Sequence, residues 1–323
     1  MMDPTDRSLR RGALAVLLLI VLAMVPADLA AQGGVDPSVR GEASLPERSG
    51  RALMPYAGKY EPRIGGSRES ERDKLRLDIG AGVDLFEIRY TKPITETTMG
   101  MPIQESPFRR EVGRLSFGTE FFTWTRLRAA DNFKFPVEAV DYYFGIRGQM
   151  HFDEQIVSDV RLRVAHISAH LVDGDPSFTS PVQQYMTYSR EFADLMVGFM
   201  PLVRWISLGS NDRTGARIRP YVGAQWLFHT IPDTLGMLTP YAGLDVAVQP
   251  FRVPVALRFG YEARLNTELE PIGEHEVRLG VKFGMIDSHG LLIEGSYYSG
   301  RSHYGQHFSE RERYFSLGFA VDF

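Results

Sequence analysis

The sequence predicts an all-β fold, a transmembrane antiparallel β-barrel of about twelve strands. Three observations predict it. The first is residues 314–323, Y-F-S-L-G-F-A-V-D-F, in which Phe315, Leu317, Phe319, Val321 and Phe323 fall on one parity and Ser316, Gly318, Ala320 and Asp322 on the other. Strict alternation is a strand with one apolar and one polar face, and about ten such residues cross a bilayer as a tilted strand. The second is that the same alternation recurs through most of the chain. The third is an export signal ahead of it. Arg7, Arg10 and Arg11 precede the apolar run Ala13 to Val25, and Leu29-Ala30-Ala31 offers small residues for cleavage before Gln32. The apolar run is shorter than the roughly 20 residues of a spanning helix, so residues 1–31 read as a secretory signal peptide.

Residues 32–73 read as irregular, with Pro37, Pro46, Pro55, Pro62, Gly65 and Gly66 ahead of a mixed charge run over 68–74. They are expected to form a periplasmic arm or a segment entering the lumen. The barrel is expected over 74–323. Leu75, Leu77, Ile79, Ala81, Val83 and Leu85 oppose Arg76, Asp78, Gly80, Gly82 and Asp84. Further strands are expected near 112–127, 138–151, 157–171, 187–201, 217–229, 240–249, 253–264, 275–285, 290–299 and 313–323. In one of the clearest, Val277, Leu279, Val281, Phe283 and Met285 oppose Arg278, Gly280, Lys282 and Gly284. These make eleven, and a barrel with both ends in the periplasm needs an even number. The twelfth is sought in the N-terminal arm, in 91–108 or in 202–216; ten and fourteen remain as the neighbouring even counts.

Inward parity carries Arg76, Arg147, Arg161, Arg163, Arg258, Arg264, Arg278 and Lys282. It also carries Asp78, Asp84, Glu120, Asp141, Asp194, Asp245, Glu262, Glu294 and Asp322. A near-balanced set predicts an ion-paired lumen filled by side chains. Trp124, Tyr142, Trp226, Phe228, Tyr241, Tyr261 and Tyr297 are expected in the interfacial girdles. Counting back from a last strand that descends to the periplasm, the turns near 151–155, 249–252 and 286–290 are periplasmic. The loops 172–184, 265–274 and 301–312 are then extracellular.

Composition excludes several classes. The 323-residue chain has no cysteine and a formal net charge of −4, unchanged when residues 1–31 are removed. Disulfides, zinc thiolates and thiol nucleophiles are therefore absent. A weakly acidic chain lacks the basic excess that nucleic acid requires. Mean hydropathy is slightly negative, which excludes a bundle of transmembrane helices and is compatible with a barrel. No cofactor or metal is expected. His303 and His307 read as loop residues.

One constellation carries chemistry. On the strand 157–171, Val160, Leu162 and Val164 face lipid, and His166, Ser168 and His170 continue that parity toward the extracellular end. On the next strand Leu195, Val197 and Phe199 face lipid, and so does Glu191. Polar groups on the lipid face are costly at mid-membrane and tolerated near the interface. Serine, histidine and a carboxylate are the parts of an ester hydrolase, and side chains two residues apart on a strand emerge on one face, about 6–7 Å apart at Cα. The same residues also suit a headgroup-binding patch or a rim closure, and His166 with His170 suits a metal.

H-x-S on a barrel strand with glutamate on the next is similar to the outer-membrane lipid A deacylases. That resemblance implies Ser168 as nucleophile, His166 as base and Glu191 as orienter, with outer-membrane lipids including lipopolysaccharide as partners. The deacylase motif continues Asn-Ala-Gly where this chain has Ala169-His170-Leu171. A wider resemblance, over most of 75–323, is to an uncharacterised family of exported bacterial outer-membrane proteins. It rests on H-I-S-A-H-L at 166–171, Y-S-R-E at 188–191, W-L-F-H at 226–229 and Y-Y-S-G-R-S-H-Y-G-Q-H-F at 297–308, and it implies no activity. The last strand resembles the C-terminal signal read by the barrel-assembly machinery, with Phe323 as its end. The expected location is the bacterial outer membrane, reached by Sec export. Against a hydrolase stands a non-enzymatic structural barrel or narrow channel.

Overall fold

The computed structural model describes residues 40–44, 54–70, 74–95, 105–130, 132–153, 156–171, 188–199, 206–207, 215–233, 235–250, 253–286 and 288–322. The expected signal peptide, the loop over 172–184 and Phe323 lie outside them.

The described strands are β1 (Arg40–Ser44), β2 (Ile64–Glu69), β3 (Lys74–Thr95), β4 (Glu105–Arg128), β5 (Val137–Phe152), β6 (Val157–Leu171) and β7 (Tyr188–Phe199). They continue with β8 (Ile206–Ser207), β9 (Gly215–Ile231), β10 (Leu238–Gln249), β11 (Val255–Asn266), β12 (Ile272–Phe283), β13 (Gly290–Arg301) and β14 (Arg311–Asp322). Twelve of them, β2–β7 and β9–β14, pair antiparallel with their neighbours. β2 joins β14 to β3, so the sheet closes on itself. Closure leaves the ring with no free edge along its wall. For orientation, the lower end is where β14 finishes, and the upper end carries 232–237, 267–271 and 302–310.

The alternating stretches become strands near their expected positions, and β2 supplies the twelfth. It reads I-G-G-S-R-E and shows no alternation to read. Gly65 has a different use. A Cβ on Gly65 would stand 2.5 Å from the Phe319 carbonyl oxygen, so glycine permits the close approach that seals the ring. The barrel therefore begins within 32–73 rather than at 74. The described parts of 91–108 instead prolong β3 and β4 below the barrel, pairing as far as Thr95 with Glu105. β1 adds along the other edge of this extension, from Arg40 with Thr91 to Ser44 with Glu87. Within 202–216 the short β8 pairs β9 at two positions.

The wall is polar inside and apolar outside. Arg161 and Lys282 are fully buried, whereas Leu279 and Leu317 are 62% and 68% exposed. This inverts the pattern of a water-soluble core and is that of a barrel with lipid against its outer face. Inside, Arg147 reaches Asp84 at 2.6 Å and Glu120 at 3.0 Å, and Arg219 reaches Asp159 at 2.7 Å and Asp245 at 2.8 Å.

Residues 54–63 thread this lumen. The Tyr56 amide donates to Asp245 and its hydroxyl to Glu294, both at 2.9 Å. Lys59 donates to both oxygens of Glu274 at 3.1 Å. Glu61 accepts from both terminal nitrogens of Arg161, at 2.8 and 2.6 Å. Arg163 donates to the Tyr60 carbonyl at 2.9 Å while pairing with Asp194 at 3.2 Å. Tyr60 packs its ring against Trp124 and Phe192. The loop 302–310 folds into the upper mouth, where the Gly305 amide donates to Asp141 at 2.8 Å and the Gln306 side chain to the Ala169 carbonyl at 2.9 Å. A cavity of about 510 Å³ remains toward the lower end, among Tyr56, Arg217, His151 and Asp322.

Two girdle assignments are corrected. Trp124 and Tyr241 are on inward parity and buried. Each polar tip has a lumen partner: Trp124 Nε1 donates to the His303 carbonyl at 2.9 Å, and the Tyr241 hydroxyl donates to Asp194 at 3.0 Å. An indole or phenol with an internal acceptor is satisfied without an interface.

Candidate active site

β6, β7 and β9 are consecutive around the wall, and their registers align three side chains in one outward row. His166 stands opposite Glu191, and Glu191 stands opposite His229. β6 places His166 by plain alternation. β7 places Glu191 the same way, its neighbours Arg190 and Phe192 pointing inward and buried. β9 does not keep this rule. Trp226 pairs with Ala193 and Leu227 with Phe192, but the next residue in register, opposite Glu191, is His229. Phe228 is thus the extra residue of a β-bulge. A bulge re-aims the side chains beyond it, and here it turns outward a histidine that strict alternation from Trp226 would have sent into the lumen.

The row is bonded through the carboxylate. His166 Nδ1 donates to Glu191 Oε1 at 2.8 Å, and His229 Nδ1 donates to Glu191 Oε2. A carboxylate accepts and does not donate, so each imidazole places its Nδ1 hydrogen toward Glu191 and leaves Nε2 uncommitted to it. The side chains of His166, Glu191 and His229 are 40%, 28% and 55% exposed. Two bases therefore share one carboxylate on the outer surface, near the upper end of the wall.

Ser168 lies one step up β6, on the face of His166, directly opposite Ser189 on β7 and Tyr142 on β5. Among the described residues no hydrogen bond joins Ser168 to either histidine. The Cα spacing of two strand residues, about 6–7 Å, leaves that bond to side-chain rotation. Catalytic hydrogen bonds in unliganded sites are often loose before substrate is present.

The structure thus brings His166 and Glu191 together and sets Ser168 beside them. His170 stands apart from the row. It pairs with Val140 on β5 and packs edge-on against the Tyr142 ring, 5.5 Å between centroids. Sequence reasoning missed His229 as part of the site. The signal for His229 was masked by the bulge at Phe228.

No protein-family profile and no curated protein matches the chain, so the two motif resemblances rest on the residues alone. Among solved structures, outer membrane phospholipase A from Escherichia coli is similar over 85% of this chain and 95% of that one, at 11% identity and a TM-score of 0.43. The Salmonella typhi outer membrane phospholipase dimer with bound calcium aligns over 84% and 94%, at 11% identity and a TM-score of 0.43. The β domain of the Bordetella autotransporter BrkA aligns over 81% and 97%, at 13% identity and a TM-score of 0.39. None of these likenesses assigns an activity to this chain.

Proposed function

We propose that this protein is an integral barrel of the bacterial outer membrane that hydrolyses acyl esters of outer-leaflet lipid. Ser168 is its nucleophile, His166 its base and Glu191 the group that orients His166. The observation that carries the reading is the 2.8 Å contact of His166 Nδ1 with Glu191 Oε1 on the outward face, beside a serine on the same face of β6. With the last strand descending to the periplasm, the row meets the outer-leaflet headgroups, where polar groups on the outer wall are tolerated and ester carbonyls are found.

The proposed order of steps is that of a serine ester hydrolase. Ser168 Oγ attacks the acyl carbonyl and His166 Nε2 takes its proton. Glu191 stabilises the imidazolium so formed and fixes its ring. His166 then gives the proton to the departing alcohol oxygen, leaving an acyl-serine. Water, deprotonated by the same Nε2, releases the fatty acid and restores the hydroxyl.

A second reading, a structural barrel without catalysis, is favoured by the missing Ser168–His166 bond. A channel is disfavoured by 54–63 and the loop 302–310, which occupy the lumen above the cavity at its lower end. The test is on lipids. Wild type and Ser168→Ala are expressed in a lipopolysaccharide-bearing host, both are checked for folding in the outer membrane, and lipid A and phospholipids are compared by mass spectrometry. Loss of an acyl chain with wild type alone is expected. Identical spectra would overturn the hydrolase reading and leave the structural one.

A further inference from the structure

Glu191 is held from both sides, and the second hold calls for a reason. A glutamate side chain has three torsions, and the last is broad and roughly two-fold. Left with His166 as its one partner, a partly exposed carboxylate swings and exchanges that bond for water. His229 removes the freedom by taking Oε2 while His166 takes Oε1.

Two features separate this from a chance surface contact. The first is the bulge. β9 gives up regular pairing at Phe228, and the result is that His229 enters the row. Bulges that re-aim one side chain recur beside active sites. The second is the common contact atom, since both imidazoles meet the carboxylate through Nδ1 and so both turn Nε2 away from it.

His229 is not a rival base for Ser168. It stands two strands from β6, and two inter-strand spacings amount to about 10 Å. Its chemistry reaches the serine through Glu191 and His166. Phe228 and Trp226, with rings 5.8 Å apart, stand beside it on β9.

Building on the hydrolase reading, we propose that His229 is a positioning residue, which clamps Glu191 from the side opposite His166 and so fixes the His166 tautomer and ring direction that present Nε2 to Ser168. A clamp of this kind acts on turnover and not on substrate capture. Its effect vanishes when Glu191 is gone.

The experiment uses the full-length barrel in detergent micelles with a p-nitrophenyl acyl ester as probe, after folding is checked by heat-dependent gel mobility. His229→Ala is expected to lower kcat about tenfold, the low end for loss of a hydrogen bond that orients a working histidine, with KM within about twofold. His229→Asn keeps an N–H donor near the Nδ1 position and is expected to recover most of that loss. In a Glu191→Ala background, adding His229→Ala is expected to change nothing further, because the two act as one unit. Unchanged kcat in His229→Ala, His229→Asn as slow as His229→Ala, or additive losses in the Glu191→Ala background would each overturn the positioning role while leaving the hydrolase reading intact. Wild type and Ser168→Ala equally inert would overturn the hydrolase reading, and this role with it.

Discussion

The barrel contains two polar clusters built from similar residue types, one in the lumen and one on the outer wall, and they are finished differently. In the lumen, Arg163 meets Asp194, the Tyr60 carbonyl and Glu61 at once, and its side chain is 1% exposed. Buried charges need this many partners, because a low-dielectric interior penalises each unpaired one heavily. On the outer wall, His166 and His229 each commit one nitrogen to Glu191 and turn the other outward. The charges around Arg163 are committed to one another and to the 54–63 segment. A cluster on the outer face with one ring nitrogen of each histidine left uncommitted to Glu191 has a surface that can meet a ligand. The first holds the barrel and its plug together, and the second is where chemistry is proposed.

That contrast breaks most visibly at Arg163. Arg163→Met leaves Asp194 and Glu61 short of a partner in the lumen, and removing one member of a buried ion pair costs about 3–5 kcal/mol. Urea unfolding of the detergent-solubilised protein, tracked by gel mobility, is expected to show a loss of that size. His166→Ala and Ser168→Ala in the same assay are expected to fall within about 0.5 kcal/mol of wild type, as exposed substitutions usually do. Comparable losses at both places would erase the distinction between the two clusters. The smallest expected effect sharpens the boundary of the outer one. His170→Ala removes an edge contact with Tyr142 and no bond to the row, so its esterase rate is expected within about twofold of wild type. A loss as large as that of His166→Ala would move His170 into the site.

The parts of this molecule legible in the sequence are those where alternation holds. β12 and β14 alternate without interruption, and each runs close to where its pattern starts and stops. β2 was hidden, because Gly65 serves close approach at the closing seam and neither Gly65 nor Gly66 carries a side chain to mark a face. The lengths of β3 and β4 were hidden as well. Register shifts between Asp84 and Phe86 and between Tyr90 and Thr91 change which parity faces out, so the pattern breaks while the strand continues. His166, Ser168 and Glu191 were readable because β6 and β7 keep one parity through the site. His229 was not, since one bulged residue reverses the face. Trp124 and Tyr241 were misplaced for a different reason: residue type suggested an interface, whereas parity and an internal acceptor put them in the lumen.

A serine made nucleophilic by Glu191 and His166 reacts with a fluorophosphonate, and the folded, detergent-solubilised protein is treated with one and the adduct mapped by peptide mass spectrometry. The expected result is a single adduct on Ser168 that disappears in His166→Ala. No adduct on folded wild-type protein, or an adduct on Ser189 with Ser168 untouched, would contradict that role for Ser168.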